Sequence, residues 1–339
     1  MKLLKQLFLP LLALTLLTGC EEVPDNDPVA NFEALWQILD ERYCFFDYKG
    51  VDWDQVYREY RPKISDNMSE RDLLNILTQM TYELKDGHTN LIADSYSVSP
   101  WNWYEDHLIN FDENIQKNYL HQSIQPDAES GIVYNKLADG TIGYIYYGSF
   151  DKQVSEEILD EIFGFMSQCI ALIVDVRNNT GGSLSYADRI ASRFTDEKIR
   201  TGYILHKTGP GHNDFSEPFP IVLAPTQARK QWLKPVVVLT NRRCFSAANE
   251  FVNKMKATKQ STVIGDRTGG GSGFPFHSEL PNGWGIRFSA SPVLDSYKRQ
   301  TEQGIAPSIK VDMSDEDRKE GKDSIIETAI EYIQTRYEK

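Results

Sequence analysis

The sequence predicts an α/β fold class, with a layered core at 131–339 behind a small helical bundle at 31–94. Three observations carry this. Before Gly131 the apolar residues recur at helical spacing. After it they gather into nearly continuous runs, 170–176 (IALIVDV) and 236–240 (VVVLT), as strands buried on both faces require. Helical stretches alternate with those runs, the pattern of a sheet layered with crossover helices. At 339 residues, 40% hydrophobic and 25% charged, the chain can bury one large core and a small satellite.

Lys2 and Lys5 precede an apolar run at 7–17 and then Leu17-Thr18-Gly19-Cys20, so 1–19 reads as a targeting signal outside the fold. The run is short for a membrane span. Small residues before a cysteine resemble the lipobox of bacterial lipoproteins. That resemblance implies cleavage before Cys20 and lipid on its thiol and new amino group. It places the protein in a bacterial cell envelope, anchored on a periplasmic or cell-surface face. An ordinary secretory signal with a chance cysteine is the alternative. Residues 20–30 are acidic with two prolines and form a tether. Cys44, Cys169 and Cys244 remain, an odd number without metal-ligand spacing, and read as buried free thiols; no metal site is expected.

Phe32, Leu35, Trp36 and Leu39 share one helix face, and Trp53, Val56, Tyr57 and Tyr60 repeat the spacing. Ser69 to Asp72 resembles a capping box before Leu73, Ile76, Leu77, Met80 and Leu84. These short helices must dock on the larger domain to hide their faces. Residues 95–130 read as an irregular connection. Its Trp101, Trp103 and Tyr104 either line a substrate cleft or pack between the domains; His107 and His121 read as surface or packing residues.

In the core, 142–147 and 170–176 are strands flanking a helix at 154–166. A helix at 186–194, strands at 203–206 and 236–240, a helix at 247–255 and a strand at 262–264 follow. A glycine loop at 269–273 leads to a hairpin at 278–289 turning on Pro281-Asn282-Gly283, and a helix at 323–337 ends the chain. There is no internal repeat.

The formal charge of −13, without a dense basic stretch, excludes nucleic acid as a partner. Chemistry concentrates in three stretches. Asp86-Gly87-His88-Thr89 supplies a histidine suited to base work near neutral pH, or a packing residue. Residues 175–182 (DVRNNTGG) follow a buried strand. Gly181-Gly182 there presents backbone amides to a ligand, or closes a tight connection whose amides Asn178 and Asn179 satisfy. Ser246, in Cys244-Phe245-Ser246-Ala247-Ala248-Asn249-Glu250, stands between strand and helix, where free amides favour an oxyanion. Capping the helix is the plain alternative.

Together, in this order and with Glu302-Gln303-Gly304-Ile305-Ala306-Pro307, these motifs resemble the S41 serine peptidases, the family of C-terminal processing and tricorn-core proteases. The resemblance spans about 31–311. It implies a crotonase/ClpP-like core in which Ser246 is the nucleophile, His88 its general base and Glu302 an orienting group. The amides of Gly181 and Ala247 would form the oxyanion hole. The substrate would be a peptide or unfolded protein tail, cleaved through an acyl-enzyme without metal or cofactor. A catalytically inactive, peptidase-like binding protein for peptides or apolar ligands is the rival reading. Two departures mark the branch. The loop 269–273 lacks the lysine of the Ser–Lys processing proteases, which implies the histidine-dependent branch, and Lys254, Lys256 and Lys259 read as solvated charges. About 40 residues at 91–130 are too few for the PDZ domain usual in processing proteases. Where that branch has a serine before the histidine, this chain has Gly87, leaving water or Thr89 to link Glu302 to His88. Cys244 is expected to be inert, and His277 to lie on a strand surface.

Overall fold

The computed structural model describes residues 26–93, 96–98, 102–121 and 123–338. The signal at 1–19, the anchor Cys20 and Trp101 lie outside the described residues. The chain begins with helices α1 (Pro28–Arg42), α2 (Phe46–Lys49), α3 (Trp53–Tyr60) and α4 (Glu70–Tyr82), then strands β1 (Asn90–Ala93) and β2 (Tyr96–Val98). Helix α5 (Glu113–Leu120) leads to β3 (Ile132–Leu137), β4 (Ile142–Tyr147), α6 (Glu156–Phe165), β5 (Ala171–Asp175) and α7 (Leu184–Ala191). Strands β6 (Ile199–Ile204), β7 (Phe219–Leu223) and β8 (Val236–Thr240) precede α8 (Ala247–Ala257) and β9 (Ser261–Gly265). The hairpin β10 (Gly273–Glu279) and β11 (Gly285–Asp295), β12 (Ile309–Lys310), α9 (Asp315–Lys319) and α10 (Ser324–Tyr337) complete it.

One sheet has the order β12-β9-β8-β5-β4-β3, parallel except for the β3–β4 pair. Its central strands alternate between two apolar layers. Leu172, Val174, Val236 and Val238 face Phe163, Ile190, Ala248 and Phe251 from α6, α7 and α8. Ala171, Ile173, Val237 and Leu239 face Ile115 of α5 and Ile325, Ile326, Ala329 and Ile333 of α10. Burial on both faces is why these strands read as unbroken apolar runs.

The second sheet is antiparallel, β2-β1-β11-β6-β7 with β10 on β11. The helical bundle packs on it: Phe32, Leu35, Leu39, Trp53, Leu77 and Met80 share a core with Leu280, Trp284, Ile286 and Phe288. Ser69 caps α4 as expected, accepting the amide of Asp72. The hairpin is longer than 278–289, and 95–130 is not wholly irregular. It holds α5, capped by Asp112, whose buried residues are only Ile115 and Gln116. A helix burying so little shows no apolar period in sequence. Strands β3 and β7 were likewise not anticipated; β7 is a largely exposed edge with Pro220 in it.

Candidate active site

Adjacent parallel strands β5 and β8 end side by side, and the turns leaving them carry two of the three motifs. Ligands in open α/β sheets gather at such carboxyl ends. Beneath the first turn, Arg177 is fully buried between Asp175 (2.7 Å) and Asp323 (2.8 Å), and the Tyr144 hydroxyl donates to Asp175 (2.7 Å). Asn179 then ties the turn down. Its Nδ2 donates to the Tyr147 carbonyl (2.8 Å) and its Oδ1 accepts the Gly181 amide (2.9 Å).

That last bond engages the Gly181 amide, which was expected to face the oxyanion. The Gly182 amide has no acceptor among the described residues, and Gly182, Ser246 and Ala247 line the same cavity. Gly181 serves by close approach. At φ 105° it lies so near that a Cβ would meet the Phe245 carbonyl at 2.7 Å and Ser246 Cβ at 2.8 Å.

Ser246 does not cap α8. Its side chain makes no capping bond, and its backbone sits at φ 55°, ψ −119°, a region other residues avoid and glycine tolerates. The strain is held from both sides: the Ser246 amide donates to the Gly270 carbonyl (2.9 Å) and the Phe245 amide to the Asn179 carbonyl (3.1 Å). It turns Oγ toward His88, 2.9 Å from Nε2. Ser246→Gly is expected to melt about 2 °C above Ser246→Ala, because both lack the hydroxyl and only alanine keeps the strain. Equal melting temperatures would show that this backbone stores none.

His88 lies between α4 and β1. Asp86 Oδ1 accepts the His88 amide (2.8 Å), which fixes the turn. The ring packs against Phe245 at 4.9 Å, and Phe245 stacks on Trp103 at 3.8 Å. The Trp103 ring therefore backs the site rather than lining the cleft, and Tyr104 meets Arg243 (4.3 Å). Of the readings open for these aromatics, packing between the N-terminal part and the core describes Trp103. It also explains Gly87: a Cβ there would come within 2.7 Å of Trp103 and 2.8 Å of Phe245, so a serine has no room. Burial pushes the imidazole pKa down to about 4 against the pull of Asp86, so His88 is neutral at pH 7. Its Nδ1 has no hydrogen-bond partner among the described residues.

Glu302 does not touch His88. Its Oε1 pairs with Lys49 at 2.9 Å and its Oε2 accepts the Ser272 amide at 2.8 Å, while Lys49 also lies 3.5 Å from Asp86. Thr89 is no relay, since its buried hydroxyl has no partner. Burial raises the Glu302 pKa to about 7 against the attraction of Lys49. For Asp86, Lys49 and His88 outweigh burial and hold the carboxyl below its usual range. Lys49 is the residue that sequence reasoning missed. It ends a four-residue helix, and nothing local separates it from an exposed lysine.

Cys244 is buried. Its thiol is pushed up to about 12 by desolvation and donates to the Val176 carbonyl (3.0 Å), which leaves it inert. His277, His107 and His121 are exposed. Lys254, read as solvated, is instead buried and paired with Asp188.

The family model of peptidase family S41 matches residues 141–311, half of the chain, and that of the tricorn protease C1 domain matches 24–81. A solved structure of a candidate peptidase from Parabacteroides merdae is 52% identical, with TM-score 0.85, covering 91% of this chain and 97% of that one. Mature CPAF shares the fold at 14% identity and TM-score 0.69, covering 92% of this chain and 97% of that one. The carboxy-terminal processing protease CtpA of Bacillus subtilis is 25% identical over 185 residues, 54% of this chain and 38% of that protein. The chain spans about two fifths of the length of the curated relatives it matches first, 40% and 38%.

Proposed function

The chain belongs to peptidase family S41, and from that premise we propose that it is a serine peptidase hydrolysing peptides or unfolded protein tails. The observation that carries the reading is the 2.9 Å contact between Ser246 Oγ and the neutral His88 Nε2. Ser246 Oγ attacks the carbonyl carbon as its proton passes to His88. The oxyanion meets the free amides of Ala247 and Gly182. The C–N bond breaks, His88 returns the proton to the leaving amine, and water then resolves the acyl-enzyme by the same exchange. A neutral base and a strained, uncapped serine favour this over an inactive binding protein. We read the core as crotonase/ClpP-like and the branch as histidine-dependent, without a PDZ domain. Export and a lipid anchor at Cys20 belong to the same reading. Among the described residues no helix is long and apolar enough to cross a membrane.

The test is covalent labelling of the purified soluble domain with a fluorophosphonate, mapped by mass spectrometry, alongside hydrolysis of unfolded polypeptide. We expect the label on Ser246 and new termini in the substrate. Label on Cys244 would overturn the nucleophile, and no label with no hydrolysis would favour the binding protein.

A further inference from the structure

Beside Ser246 lies a cavity of about 340 Å³. Leu184, Ala247, Phe274, Pro275 and Val293 give it apolar walls, and Glu250 joins them one helical turn beyond the serine. Glu250 is only 6% exposed, and its Oε1 has no hydrogen-bond partner in the structure. Lys254, whose ammonium acts on Glu250, is paired with Asp188. Burial accordingly raises the Glu250 pKa despite Lys254. Asn253 and Lys254 offset that burial only in part, and a buried carboxylate oxygen left without a donor is costly, so a cation brought to it relieves that cost.

The geometry also says which part of a peptide meets Glu250. The oxyanion amides of Gly182 and Ala247 fix the attacked carbonyl at the start of α8, so the residue bearing that carbonyl faces the α8 side. The leaving amine must lie by His88, which returns its proton, and there the wall is Arg287, register partner of Asn90. An apolar cavity whose lining includes a carboxylate with an unpartnered oxygen fits a side chain with a methylene stem and a cationic tip.

We propose that Glu250 selects substrates with lysine or arginine as the residue whose carbonyl is attacked. This rests on the peptidase reading above. It is tested with fluorogenic peptides differing only at that residue, carrying lysine, arginine, norleucine or glutamate. Wild type should favour lysine and arginine over norleucine by at least about tenfold in kcat/KM, and glutamate should be poorest. In Glu250→Gln the lysine-to-norleucine ratio should fall to near 1, a change that mere loss of packing would not produce. A wild type preferring norleucine or glutamate, or a ratio unmoved by Glu250→Gln, overturns the assignment. The two readings fail separately. Absent fluorophosphonate labelling sinks the peptidase, and binding of the same peptides to Ser246→Ala then still decides for or against lysine recognition by Glu250.

Discussion

His88→Ala is expected to slow fluorophosphonate labelling and peptide hydrolysis by at least about 10³-fold, while far-ultraviolet circular dichroism stays that of the wild type. Ser246→Ala should abolish labelling altogether. Without the imidazole, Ser246 keeps its proton. Asp86 faces Lys49 and the His88 amide, Glu302 faces Lys49 and Ser272, and the Glu250 carboxylate, in the same cavity, makes no hydrogen bond to Oγ. A residual rate within tenfold of wild type would remove His88 from the mechanism.

The pH profile follows from the same burial. A base works only when unprotonated, so labelling should hold steady from pH 7 downward and fall only as pH nears the His88 value of about 4. The groups facing the ring oppose one another: Asp86 and the Gly273 backbone stabilise imidazolium, while Arg287 and then Lys49 disfavour it. A midpoint above pH 6 would mean the imidazole is better hydrated than its 3% exposure implies.

How much of this was legible beforehand depended on whether the signal was local. Ser246 and His88 each sit in a short motif between a helix and a strand, so spacing and setting singled them out as candidates, and the fold brings them to 2.9 Å. The helix-capping alternative for Ser246 was equally local. The missing capping bond and the dihedrals dismissed it, and strain of this kind leaves no mark in composition. Strands β5 and β8 were plain since both faces are buried, whereas α5 and β7 bury too little to print a period. The Gly181 amide, expected to face the oxyanion, is held by Asn179 in the structure, a hydrogen bond that no residue spacing specifies. Glu250 stood inside a quoted motif without a role, since its lack of a partner is a property of the packed core.

Lys49→Met is expected to destabilise the fold by about 3–5 kcal/mol at pH 7.5, because it leaves Asp86 and Glu302 buried without their shared cation. At this chain length that is on the order of 10 °C in melting temperature. The loss should depend on pH in a fixed direction. A carboxyl whose folded pKa is raised keeps a proton that the unfolded chain has released, so between 4.5 and about 7 its contribution to stability falls as pH rises. Removing Lys49 raises the Glu302 pKa further, so the gap between wild type and variant should widen from pH 5 to pH 8. Adding Glu302→Gln to Lys49→Met removes one of the stranded charges and keeps an acceptor for Ser272, and it should recover part of the loss. Chemistry should move too. Lys49 acts to lower the His88 pKa, so its removal should shift the acid limb of labelling upward from about 4. A merely structural lysine would lower the melting temperature and leave that limb in place. The ammonium is thus a positioning residue, tying the late-chain glutamate to the turn that holds the base.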